Sequence, residues 1–131
     1  QAEAAMLFYQ KVFGGTFLGQ GIMYMGDVPG MEKLSDEEKK RVMHASLTFG
    51  NGCMLMASDI LPSMGHKLVM GNNHYILLSP DTKEEADRVF QALAEGGQVQ
   101  MPMQDQFWGD YYGIVTDKFG VQWMINFSKN G

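Results

Sequence analysis

A helix closed by two glycines and followed by short strands occurs twice in these 131 residues. Across Ala2–Phe13, the residues Ala4, Ala5, Phe8 and Val12 fall at helical spacing, and Gly14-Gly15 ends the segment. Further on, Ala86, Val89, Phe90 and Leu93 recur at helical spacing. There Thr82 and Glu85 form a capping box and Gly96-Gly97 is the stop. A shift of 82 positions lays Glu3 on Glu85, Ala4 on Ala86, Phe8 on Phe90 and one glycine pair on the other. A shift of 68 then lays Leu47-Thr48 on Val115-Thr116, Gly52 on Gly120 and Met56 on Met124. The two shifts differ because the first half carries a longer loop, Asp27–Lys40. Chance similarity between two amphipathic helices explains the helix match alone. The ordered agreement of helix, hairpin and glycine turn favours duplication.

Outside the helices the hydrophobic period is two. It predicts strands at Phe17–Met25, Arg41–Phe49, Cys53–Ser58, His74–Ser79, Val99–Gln104, Tyr111–Asp117 and Val121–Phe127. Phe49-Gly50-Asn51-Gly52 and Asp117-Lys118-Phe119-Gly120 read as tight turns, and Ser35 with Glu38 marks a short helical turn. A strand precedes the second helix, so symmetry predicts one before the first. The chain opens on the helix at Gln1, and that strand is expected in the natural protein ahead of it. Each half is then a β-α-β-β-β module: about 1–60, a connector at 60–73, and about 74–128, all within one domain.

Charge and cysteine usage narrow the function classes. Ten Lys and Arg stand against 15 Asp and Glu, a net charge of −5. Nucleic-acid binding needs clustered positive charge to replace counterions, so it is not expected. Cys53 stands alone, which rules out an intrachain disulfide framework and a Cys-rich zinc site and fits a reducing compartment. Sharing a strand face with Leu55 and Ala57, it reads as a buried, inert thiol. No apolar run is long enough to span a bilayer and no signal peptide is read, so no membrane contact is expected and the cytoplasm is the expected location. Twelve methionines are unusual at this length.

Several blocks carry a family resemblance. They are Ala2-Glu3-Ala4-Ala5-Met6-Leu7-Phe8-Tyr9, Val12-Phe13-Gly14-Gly15, Val42-Met43-His44-Ala45, Met56-Ala57-Ser58-Asp59 and Trp108-Gly109-Asp110-Tyr111-Tyr112-Gly113. The last runs from Asp117-Lys118-Phe119-Gly120 through Val121-Gln122-Trp123-Met124-Ile125-Asn126. In these the chain resembles the vicinal oxygen chelate superfamily of glyoxalases, bleomycin-resistance proteins and extradiol dioxygenases, and within it the PhnB-like branch. The resemblance implies an α+β fold in which two βαβββ modules form an open, eight-stranded, barrel-like mixed sheet with helices on the outer face. It also implies a homodimer. The methyltransferase label often attached to that branch finds no support in the residues. Gly19-Gln20-Gly21 lies inside a strand pattern, not at a glycine-rich turn opening a helix.

Enzymes of the superfamily hold a divalent metal in a cleft lined by both modules, which chelates adjacent substrate oxygens. The resemblance places one ligand at His74, ahead of Pro80-Asp81, and carboxylates four residues beyond Gly52 and Gly120. Those positions hold Met56 and Met124. Thioethers are soft ligands and do not replace a carboxylate on Mg²⁺, Mn²⁺ or Zn²⁺. No cofactor is therefore expected. The alternative is a rearranged divalent site from His74, His44 and Asp59. His74 also reads simply as a hydrogen-bonding residue at a strand start, and His66 as a solvated loop residue. The expected cleft comprises His44, Met56, His74, Trp108, Tyr111, Gln122, Met124 and Asn126, although the aromatics among them equally suit a core or a dimer contact.

Three functions follow. The favoured one is a small-molecule-binding protein whose partly apolar ligand lies in the inter-module cleft. The second is a metal-dependent lyase, isomerase or dioxygenase acting on adjacent oxygens. The third is a dimeric partner domain without a ligand.

Overall fold

The computed structural model describes residues 1–129. The chain divides into two compact units, one ending at Val69 and the next starting at Met70, a boundary inside the expected connector. The architecture is α+β, and among the described residues the strands form two four-stranded sheets.

In the first unit, α1 (Ala2–Phe13) buries Ala2, Ala5, Met6, Tyr9 and Val12. It packs on β3 (Val42–Phe49), where the Phe13 and Phe49 rings stack at 4.7 Å. Gln1 gives α1 no side-chain cap. Asp59 supplies one from elsewhere in the unit: Oδ1 accepts from Ala2 N at 3.0 Å and Oδ2 from Val42 N at 2.8 Å, tying helix to strand. Burial pushes the Asp59 carboxyl up, but the Val42 and Ala2 amides together with the Gln1 ammonium outweigh it and hold the group below the usual aspartate range. The short α2 (Asp36–Lys39) starts where expected, with Ser35 Oγ accepting from Glu38 N at 3.2 Å.

The strand predicted over Phe17–Met25 is corrected. It is broken into β1 (Thr16–Phe17) and β2 (Met23–Tyr24), both antiparallel to β3. Gly19 and Gly21 stand between them with φ of 61° and 87°, in the left-handed region that turns a chain out of a ladder. The other edge of β3 pairs with β4 (Cys53–Ala57). Cys53 lies on the helix side with Leu55, as alternation requires, yet it is exposed, which corrects the buried-thiol expectation. It opens β4 at the hairpin end of the ladder. His66 also departs from a merely solvated role, since its Nδ1 accepts from Leu61 N at 3.0 Å.

The second unit is a whole β-α-β-β-β module: β5 (Ile76–Leu78), α3 (Lys83–Ala94), β6 (Gln98–Asp105), β7 (Asp110–Thr116) and β8 (Gln122–Ser128). The order is β5-β8-β7-β6, with β5 parallel to β8 and the rest antiparallel. Thr82 Oγ1 caps α3 by accepting from Glu85 N at 3.1 Å, while the Glu85 carboxylate turns to Arg88. Ala86, Val89, Phe90 and Leu93 are buried beneath the helix. With them lie Val115, Trp123 and Ile125 of the sheet, whereas Val121, which precedes β8, is only half-buried.

Both units contain the same close approach. A β-carbon on Gly15 would overlap the Thr48 carbonyl oxygen, and one on Gly97 would overlap that of Thr116. Each helix-ending glycine thus packs against its strand at the position related by the repeat. The duplication is therefore physical as well as textual.

Candidate functional site

In the second sheet, register sorts every residue of β7 and β8 onto one of two faces. Val115 pairs with Trp123, Gly113 with Ile125 and Tyr111 with Phe127, and these face α3. Thr116 pairs with Gln122, Ile114 with Met124 and Tyr112 with Asn126 on the helix-free face. On its other side Met124 partners Leu77 of β5. A thioether therefore stands at the middle of this face between two aliphatic chains, with a carboxamide two residues to either side along β8.

The polar groups here are linked. The buried Gln122 donates from Nε2 to the His74 carbonyl at 2.7 Å and accepts on Oε1 from Gln100 at 3.3 Å. Gln100 also donates to Thr116 Oγ1 and accepts from the Tyr75 hydroxyl at 3.2 Å. Asn126 Nδ2 donates to Asp110 Oδ2 at 3.1 Å, and the Trp108 indole donates to the same oxygen at 3.2 Å. Burial, and then the nearby Tyr75, raise the pKa of Tyr112. At the Gln122 end lies a cavity of about 180 Å³ lined by Gly71, His74, Tyr75, Ile76, Gly120, Val121 and Gln122. That is smaller than the usual drug-sized cleft and has room for a substituent.

Of the residues expected to line a cleft, Gln122, Met124 and Asn126 share this face, Trp108 joins them through Asp110, and His74 borders the cavity. Tyr111 does not share it, which corrects its placement. It lies on the helix side, where its hydroxyl donates to Asp87 Oδ1 at 2.5 Å and Lys83 Nζ sits 4.6 Å over its ring. The hydrogen bond to Asp87, with burial and the charges of Asp87 and Asp105, pushes its phenol up to about 12. In the first unit, His44 and Met56 share the helix-free face of their own sheet, since His44 lies two residues from Ser46, the partner of Met56. His44 Nε2 and Ser46 Oγ are 2.7 Å apart.

The donor set does not fit a hard divalent ion. Among the described residues no three His, Cys, Asp or Glu side chains come together as a metal site. Asp59 spends both carboxylate oxygens on backbone nitrogens. Leu77, not His74, stands beside Met124, because His74 precedes the strand. Sequence reasoning missed Gln100 and Asp110. Gln100 lies at a register irregularity of β6 where simple alternation misleads, and Asp110 was visible in the Trp-Gly-Asp run.

The module topology and the match of residues 1–125 to the family described as the Glyoxalase/Bleomycin resistance protein/Dioxygenase superfamily define the class. The chain belongs to this family. It is similar to YjdN of Escherichia coli K12, with 33% identity over 95% of this chain and 86% of the relative. It is also similar to the crystal structure of PA1353 from Pseudomonas aeruginosa (39% identity, TM-score 0.84, covering 98% and 90% of the two chains). A third likeness is to the PhnB protein of Bacillus cereus, whose assignment as a 3-demethylubiquinone-9 3-methyltransferase is provisional (27% identity, TM-score 0.74, covering 97% and 91%). No helix among the described residues is long and apolar enough to cross a membrane.

Proposed function

We propose that this chain binds a small, partly apolar organic molecule on the helix-free face of its second sheet and does not work through a hard metal ion. The supporting observation is the setting of Met124, flanked by Leu77 and Ile114, with Gln122 and Asn126 on the same face. Thioether and aliphatic groups supply apolar area that adapts to shape, and carboxamides supply orientation. The neighbouring cavity would receive one arm of the ligand. We also infer a cytoplasmic homodimer. The exposed Met54 and Met56 of β4 support the assembly, and the single cysteine supports the location.

A thermal-shift screen of small organic molecules tests the reading. A ligand is expected to raise the melting temperature of the wild type and to lose that effect in Met124→Lys, which sets a charge amid the apolar stripe. Protection that survives Met124→Lys would move the site elsewhere. Stoichiometric metal in protein purified without chelator, lost on His74→Ala, would overturn the metal-free part.

A further inference from the structure

We propose that the β6–β7 hairpin tip recognises a small organic cation, a quaternary or protonated amine, held against Trp108 and Tyr112 with the Asp110 carboxylate as counter-charge. This deepens the ligand-binding reading and rests on it, because Tyr112 belongs to the helix-free face and Asp110 is bonded to Asn126.

The tip is a built turn. Gln106 N donates to the Asp110 carbonyl at 2.8 Å and Gly109 N to the Gln106 carbonyl at 3.0 Å, with Gly109 at φ 103°. Two bulky aromatics are nevertheless left in water: Phe107 is 97% exposed and Trp108 50%. Their rings meet edge to face at 5.0 Å and 90°, and Trp108 meets Tyr112 at 6.0 Å and 64°. The half-exposed Trp108 leaves π-surface open to solvent beside Tyr112, and a cation within about 6 Å of such a face is attracted by its quadrupole.

Asp110 completes the arrangement. The Trp108 indole and the Asn126 amide both bond to Oδ2, which fixes the carboxylate, while Oδ1 accepts from no described residue. The three lysines of this unit are engaged elsewhere, Lys129 on Asp105, Lys83 over Tyr111 and Lys118 over Phe119. A neutral ligand here would strip water from a carboxylate without replacing it, and an anion would be repelled. A cation satisfies carboxylate and rings together, and the net charge of −5 draws it in.

Choline is the probe, and 3,3-dimethylbutan-1-ol is its uncharged counterpart of the same shape. Trp123, the other tryptophan, is buried, so a fluorescence change on titration reports Trp108. Choline is expected to give a saturable change in the millimolar range, with the alcohol at least about ten-fold weaker. Asp110→Asn keeps an acceptor oxygen for Trp108 and Asn126 and is expected to weaken choline about five-fold. In Trp108→Leu, binding is followed through the choline methyl signal in NMR and is expected to vanish. Equal binding of the alcohol, unchanged choline binding in either variant, or no saturable choline binding would overturn the cation proposal. Those results would leave the Met124-dependent thermal shift intact, so the two readings fail separately.

Discussion

Tyr111 and Tyr112 are adjacent in sequence and have different chemistry, because a strand sends neighbours to opposite faces. Tyr111 donates to Asp87 beneath α3, and its phenol titrates at about 12. A folded pKa above the unfolded value near 10 stabilises the fold fully below about pH 10, and that contribution is lost as pH rises towards about 12. Tyr111→Phe is therefore expected to cost stability at neutral pH and to flatten its decline over that alkaline window, measured by urea unfolding at a series of pH values. An unchanged alkaline decline would detach Tyr111 from Asp87. Asp59 works in the opposite sense. Its lowered pKa means its contribution is present above the ordinary aspartate value and is lost as acid protonates it. It is a fastener of α1 to β3, a use invisible in a linear string.

At the scale of elements, the close approach of Gly97 to the Thr116 carbonyl sets how tightly the end of α3 meets the sheet. Gly97→Ala is expected to destabilise the protein by about 2–3 kcal/mol in urea denaturation, because the obstacle is backbone. Gly71→Ala, whose added carbon would meet only the Asn73 side chain at 3.4 Å, is expected to be nearly neutral. Equal effects would remove the packing account of the glycine pairs. Both long helices were legible from spacing, capping residue and glycine stop, since each of these acts within a few residues. The break between β1 and β2 was less so. Gly19 and Gly21 lie between two apolar runs, Phe17-Leu18 and Ile22–Met25, that read together as one strand, and their positive φ breaks it. Among the site residues, Gln122, Met124 and Asn126 followed from alternation along β8, which the antiparallel ladder preserves. Gln100 depended on an irregular register in β6 that no periodicity encodes.

The whole molecule is a duplicated module, with a complete β-α-β-β-β unit in its second half. In the second sheet β8 lies between β5 and β7, whereas β4, its repeat counterpart, pairs only with β3 among the described residues. Two of the exposed methionines, Met54 and Met56, lie on β4. Light scattering is expected to give twice the 14.6 kDa chain mass, in line with the proposed homodimer. A monomer at micromolar concentration would refute that assembly. What the family resemblance gave at this scale was topology. Chemistry had to be read from which side chain stands at each position of a face.

The buried Asp117 shows why these two kinds of information separate. Its Oδ1 accepts from the backbone of Phe119 and Val121, and its Oδ2 from the Trp123 indole at 2.9 Å. The most recognisable stretch of the chain, from Asp117 through Gly120 to Trp123, is thus a bonded corner that shapes a hairpin. A name that travels between proteins along this stretch carries a bend in the chain and leaves the reaction behind.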